Sequence, residues 1–251
     1  MVDMNYVENP NLPQNAVKSV VVSPINSPLI SGLEAVGINC ICTELGDLNR
    51  FPVSHHADMT CCHLGGERII VSKEGRALGE KLAQSDFEVK YAQVGESYPT
   101  DCSLNCAIIG DLIFAKKENI SREISEYFQN NSKETHYVNQ GYAKCSVAIV
   151  AQNAIITADR GIAAVAVALG MDVLEIPAGS IAINGYSYGF IGGCCGKLAG
   201  DILGFCGNIK AHPAYDDIKS FTMAHGVYCE PICGGDLFDV GGILPVIEKF
   251  S

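Results

Sequence analysis

One repeat constrains this chain more than any other feature. Asp58 and Asp101 stand forty-three residues apart, and Asp101 and Lys144 are separated by the same interval. The next positions, Met59, Cys102 and Cys145, share the spacing, and Asp101-Cys-Ser matches Lys144-Cys-Ser. Self-similarity at such a period is the mark of propellers, solenoids and other arrays.

The residues around each anchor follow one order: a polar stretch, an apolar strand, a tight turn, a second strand, a helix and a third strand. In the first unit, His56-Ala-Asp-Met-Thr-Cys-Cys-His leads to a glycine turn at Gly65-Gly66, then a strand over 68–72, a helix over 75–84 and a strand over 87–93. The second opens at Tyr98-Pro-Thr-Asp101 and turns at Gly110-Asp111, with a strand over 112–115, a helix over 121–129 and a strand near His136. The third opens at Gly141 and turns at Gln152-Asn153, with a strand over 154–157, a helix over 161–169 and a strand over 172–176. A fourth opens near Gly185 and carries an insert over 194–216 before a helix at 217–225. A fifth is split between the two ends. Residues 236–247 supply its opening strand, and 18–23, a helix over 29–36 and a strand over 38–43 supply the rest.

Pairing the ends closes a ring and protects the sheet edges. The expected fold is an α/β, five-bladed propeller of ββαβ units. It forms a single domain over 18–251, with 1–17 as an N-terminal extension and 44–54 and 226–235 as connectors. The competing architecture is a doubly wound sheet, which needs a phosphate loop. Gly192-Gly-Cys-Cys-Gly-Lys-Leu lacks that loop's spacing and has Leu198 in place of Ser or Thr. It reads as a tight turn against the axis.

Charge narrows the partners. The chain has 17 basic and 28 acidic residues among 251, a net charge of −11. No basic run offers a face to a polyanion, so nucleic acid is excluded and a small cationic molecule is favoured. No apolar run reaches the ~18–20 residues a membrane span takes. Residues 1–13 are polar and acidic, unlike a secretory signal, so a cytoplasmic location is expected. The twelve cysteines contain no Cys-x-x-Cys pair. They read as small buried residues of a reducing compartment, and neither a metal nor a cofactor is expected.

In a ring, the unit openings converge on the axis. The groups then placed near one another are His55, His56, Asp58, Cys61, His63, Asp101, Cys102, Lys144, Cys145 and Asp239. Two carboxylates, an imidazole and a thiol suit covalent catalysis on a cationic carbon–nitrogen substrate. The carboxylates hold the cation, the thiolate attacks carbon, and the imidazole moves protons. Cys145 is the first candidate nucleophile and Cys102 the second. His56 is the acid/base candidate, and Asp58, Asp101, Lys144 and Asp239 are binding candidates. Each also has a plain reading. Asp58 and Asp101 satisfy backbone N–H groups at strand ends, Lys144 either pairs with Asp101 or lowers the thiol pKa, and His55 and His63 are surface or core residues. A metal set drawn from His56, Asp58, Cys61, Cys62 and His63 is disfavoured, because strand alternation sends Cys61 and Cys62 to opposite faces.

The ring of five units and four motifs together resemble the pentein superfamily of guanidino-group-modifying enzymes. The motifs are His56-Ala-Asp58-Met, Tyr98-Pro-Thr-Asp101, Gln140-Gly-Tyr-Ala-Lys144-Cys145-Ser and Asp239-Val-Gly-Gly-Ile-Leu-Pro. The superfamily includes arginine and agmatine deiminases, dimethylarginine hydrolases and amidinotransferases. The resemblance spans about residues 18–250. It implies a cysteine-dependent hydrolase of a small guanidine or amidine, with His56 and Asp58 similar to the deiminases' His-x-Asp element. Thr100 stands where those enzymes carry an arginine before the guanidinium-gripping aspartate, and here the two elements occur in the reverse order. In those hydrolases the nucleophile lies near the chain end after a glycine run. Residues 234–245 match that stretch but hold Asp239 and no cysteine. The implied nucleophile therefore moves to Cys145, in another blade. The superfamily fold also hosts a non-enzymatic ribosomal anti-association factor, so a binding protein without covalent chemistry is the alternative.

Overall fold

The computed structural model describes residues 4–45 and 52–250. Five small sheets make up the fold. The first sheet takes β1 (Met4–Tyr6), β2 (Val17–Val22) and β3 (Asn39–Cys42) from the start of the chain, with helix α1 (Ser27–Ala35) between β2 and β3. One-turn helix α2 (Ala57–Thr60) opens the second sheet, which holds β4 (Cys61–Gly65), β5 (Arg68–Ser72), α3 (Arg76–Ala83) and β6 (Glu88–Ala92). A 3-10 turn at Thr100–Cys102 opens the third, with β7 (Ala107–Ile109), β8 (Leu112–Ala115), α4 (Arg122–Asn130) and β9 (Glu134–Tyr137). One-turn helix α5 (Ala143–Ser146) opens the fourth, with β10 (Val147–Ala151), β11 (Ala154–Thr157), α6 (Arg160–Ala168) and β12 (Asp172–Glu175). A 3-10 turn at Gly192–Cys194 opens the fifth, with β13 (Cys195–Ala199), β14 (Ile202–Phe205), α7 (Tyr215–Ala224) and β15 (Tyr228–Pro231). The last strand, β16 (Leu244–Lys249), returns to the first sheet and pairs antiparallel with both β1 and β2.

Each blade therefore has an antiparallel inner pair followed by a parallel outer pair, the helix crossing between them. The helices carry apolar residues at i and i+4, as Leu29/Leu33, Leu78/Leu82, Ile124/Phe128 and Ile162/Ala166, and lay that face on the sheets.

The inner strands are apolar at nearly every position because both of their faces are covered. Alternation then deals successive residues to different neighbours. Cys61 enters a cluster with Val21 and Leu244 of the end-to-end blade, whereas Cys62 packs with Leu104 and Ile108 of the next one. Val147 and Ile149 face one neighbour, Ala148 and Val150 the other. Five large clusters each join two consecutive blades, and the last links Leu198 and Cys206 to Val20 and Val22. The ring is closed, as the repeat predicts. Among the described residues no helix is long and apolar enough to cross a membrane.

Three sequence expectations are corrected. The unit openings are single helical turns rather than strand starts; those at 57, 100 and 143 keep the forty-three-residue spacing. The supposed insert over 194–216 holds β13 and β14, the two inner strands of its blade, and the extra chain instead precedes them over 177–191. The glycines there weaken the strand pattern, because Gly196 and Gly204 are needed where Ile243 and Leu198 approach too closely for a Cβ. The connector over 226–235 contains β15. Most of the connector over 44–54 lies outside the described residues.

Candidate active site

Two of the single turns that open the blades, α2 and α5, bring their side chains together. His56 caps α2 and Asp58 lies in its first turn, with the Asp58 N–H donating to Gly241 O at 3.1 Å. The 239–242 turn is tied to the Gly192–Cys194 opening, since the N–H groups of Val240 and Gly242 both donate to Gly193 O. Glycine is required at this crossing. A Cβ on Gly241 would fall 2.2 Å from His56 Cβ, and one on Gly193 would fall 2.0 Å from Asp239 Oδ1.

Cys145 is the meeting point. Its Sγ–H donates to Asp58 Oδ2 at 2.7 Å, and Asn105 Nδ2 donates to the same sulfur at 3.3 Å. Asn105 Oδ1 accepts from the N–H groups of Lys144 at 2.8 Å and Cys145 at 3.2 Å, so one amide side chain fixes both the helical turn and the sulfur it presents. His56 Nδ1 lies 3.7 Å from Asp239 Oδ1. The donor atoms of His56, Cys145 and Asp239 all fall within 4.8 Å of one another, close enough to hold a metal ion. Asp239 is fixed in turn by the N–H groups of Phe190 at 2.8 Å and Gly241 at 3.0 Å.

Burial dominates the electrostatics. It pushes the Asp58 carboxyl up to about 7, against the pull of the Lys144 cation and with help from Asp239. It lifts Asp239 to about 6, opposed by the two N–H donors. The Cys145 thiol is driven well above its usual range by burial and then by the two nearby carboxylates. His56 is held well below the ordinary imidazole range by burial and by neighbouring His55, so it is neutral at physiological pH. The resting site is therefore a thiol and a neutral imidazole between two acids that titrate near neutrality.

His56, Cys145 and Asp239 line a cavity of about 220 Å³ walled by Tyr142, Tyr186, Tyr188 and Phe190. Tyr142 and Phe190 lie 6.4 Å apart at 31°, and Tyr98 lies 5.6 Å beyond Tyr142. A groove of about 270 Å³ adjoins it through Val53, Met59 and Tyr186 and carries Glu44, Glu74, Glu96 and Asp101.

Of the residues singled out in the sequence, the fold brings together His56, Asp58, Cys145 and Asp239. Asp101 stands apart in the outer groove, where Tyr142 Oη donates to it at 3.2 Å. Lys144 forms no ion pair with Asp101. It is buried, donates to Gly192 O at 3.3 Å and lines a separate small cavity with Asp58. The expectation that Lys144 lowers the thiol pKa is also corrected, because burial and the carboxylates govern that thiol. Cys102 is buried away from the cavity, its Sγ–H donating to Pro99 O at 3.0 Å. His55 and His63 are core residues; the His55 ring meets Ser23 Oγ at 2.6 Å. Sequence reasoning missed Asn105 and the aromatic wall. Asn105 sits just after the second opening, where a polar residue in an otherwise apolar run was the available signal.

The model of a family of unknown function, DUF6873, matches residues 20–244. No curated protein matches. Among solved structures, a cysteine-to-serine mutant of DDAH from Pseudomonas aeruginosa complexed with citrulline superposes with a TM-score of 0.57 at 11% identity, covering 94% of this chain and 100% of that one. The inosamine-phosphate amidinotransferase StrB1 from Streptomyces griseus gives 0.56 at 10% identity, covering 98% and 97%. The agmatine deiminase of C. jejuni gives 0.52 at 8% identity, covering 92% and 90%. These likenesses establish the pentein-type propeller fold that the motifs resemble.

Proposed function

From the premise that this chain belongs to the DUF6873 family, we propose that it is a cysteine-dependent hydrolase of a carbon–nitrogen bond in a small guanidine or amidine. One observation carries this reading. The Cys145 thiol donates to a carboxylate that titrates near neutrality, with His56 and Asp239 beside it on an aromatic cavity.

The chemistry follows from the protonation states. A guanidinium stacks on the aromatic walls and places its charge by Asp239. Asp58 takes the thiol proton and the thiolate adds to the cationic carbon. When the tetrahedral adduct collapses, the proton held on Asp58 goes to the departing amine. Because His56 is neutral it serves as a base: it takes a proton from water as that water attacks the thiouronium carbon. Thiolate then leaves carbon, the ureido product forms, and the protons return to solvent and to sulfur. The acid/base work expected of His56 is thereby divided between two groups. A neutral imidazole fits the second step, and Asp58 fits the first.

The structural neighbours named for citrulline, amidino transfer and agmatine support a guanidino-type ligand. A second reading is a binding protein without turnover, which the raised thiol pKa favours. Incubation with arginine, agmatine and N-methylated arginines, followed by detection of released amine and ureido product, separates the two. Turnover that vanishes in Cys145→Ala while calorimetric binding persists supports the hydrolase. Binding with no turnover in either protein supports the alternative.

A further inference from the structure

Asp58 lines one cavity and holds a residue that lines another. Its Oδ2 takes the Cys145 thiol on the substrate side, whereas its carboxylate also lines a separate axial cavity of about 20 Å³. A single water needs roughly 10–15 Å³. Lys144 and His63 line the same cavity, and all three residues are more than nine-tenths buried.

The hydrogen-bonding needs of these groups complement one another. Asp58 Oδ1 receives no hydrogen bond from any described residue. His63 Nε2 meets Gly66 O at 2.8 Å, which places the ring proton on Nε2 and leaves Nδ1 an acceptor; that atom is also buried without a partner. Lys144 Nζ spends one donor on Gly192 O and has others available. Two acceptors and one donor are the complement of a water molecule, which offers two O–H groups and a lone pair. Leaving two buried acceptors unmet would be costly.

We propose that the axial cavity is a built water site, in which one water donates to Asp58 Oδ1 and His63 Nδ1 and accepts from Lys144, and that Lys144 and the water act as positioning groups keeping Asp58 ionised for the Cys145 proton. The inference rests on the reading of Asp58 as the base for Cys145. The charged and titratable groups facing Asp58 are Lys144 and Cys145 from α5, Asp239 from the 239–242 turn, and Cys61 and His63 from β4. Lys144 is the one cation in that set. The substrate side and the axial side would then act on different oxygens of one carboxylate.

Two measurements test this. The first is the pH dependence of Cys145 alkylation by iodoacetamide, followed by peptide mass spectrometry. Alkylation needs a nucleophilic thiol but no guanidine hydrolysis, so it stands whether or not the hydrolase reading does. Lys144→Met is expected to move the alkylation midpoint up by a unit or more and to slow alkylation about tenfold at neutral pH. Asp58→Asn is expected to erase the midpoint assigned to the carboxylate. A folded Lys144→Met protein with the wild-type midpoint overturns the positioning role. The second is a high-resolution crystal structure of the unaltered protein. It should show an ordered water within hydrogen-bond distance of Asp58 Oδ1, Lys144 Nζ and His63 Nδ1, and a cavity without one overturns the proposal even if Lys144→Met does not fold.

Discussion

The sulfur of Cys145 and a carboxylate oxygen of Asp58, 87 residues apart in the chain, meet at 2.7 Å. They occupy neighbouring places in the first and third repeats, so the contact converts a sequence period into a chemical pair. A proton acceptor with a pKa of about 7 beside a thiol makes the pair sensitive to small changes in pH.

Turnover should follow that acceptor. The thiol proton can move only to an ionised Asp58, so kcat/KM should rise with pH through about 6 to 7 and then level off. Asp58→Asn should lower the rate roughly 100-fold or more, in line with loss of a general base, and should flatten the acidic limb. A rate profile in which Asp58→Asn keeps the wild-type limb would assign that limb to another group.

Stability should run the opposite way. Asp58 binds its proton more tightly folded than unfolded, so its contribution is full below the ordinary carboxylate range and is lost as pH rises towards about 7. Thermal denaturation of the unliganded protein should show a higher Tm near pH 5 than near pH 8 from this group. Asp58→Asn should remove that part of the slope; an unchanged slope would place the effect elsewhere.

Asn105 should matter for folding as well as chemistry. Asn105→Ala leaves the buried N–H groups of Lys144 and Cys145 without their acceptor. At roughly 1–3 kcal/mol for each unmet group, the loss is on the order of 2 kcal/mol or more. Calorimetric unfolding should register it as a Tm lower by roughly 4–8 °C. Asn105→Asp keeps the acceptor and should recover much of the stability, but it adds charge beside the sulfur and should slow alkylation.

Gly193→Ala tests the crossing at the axis. The added carbon would lie 2.0 Å from Asp239 Oδ1, so the aspartate must move from the N–H groups of Phe190 and Gly241. Loss of turnover with a lowered Tm is expected, whereas Gly234→Ala, which meets nothing within 4 Å, should leave both unchanged. Equal behaviour of the two variants would remove the steric argument.

The ring was legible because its cause is local and repeated. Apolar inner strands, apolar helix faces and tight turns recur from unit to unit, and the forty-three-residue period ties three openings together. The inner strands of the fourth unit were obscured by Gly196 and Gly204, which serve close packing rather than strand propensity. The site was half legible. Position in the repeat brings Asp58 and Cys145 together, but it does not say which side of the axis a side chain takes. Lys144 and Asp101 share a register with Asp58, yet Lys144 lines the axial cavity and Asp101 the outer groove. Asn105 and the wall of Tyr142, Tyr186 and Phe190 act through contacts between blades, which no pattern within one blade encodes.

Closing the ring with β16 sets the order in which the centre is completed during synthesis. His56, Asp58, Asn105 and Cys145 leave the ribosome well before Asp239 and the strand that seals the circle. A growing chain thus carries its sulfur for a long interval with no finished chamber around it, and Asp239 joins Cys145 only when the tail docks against the head.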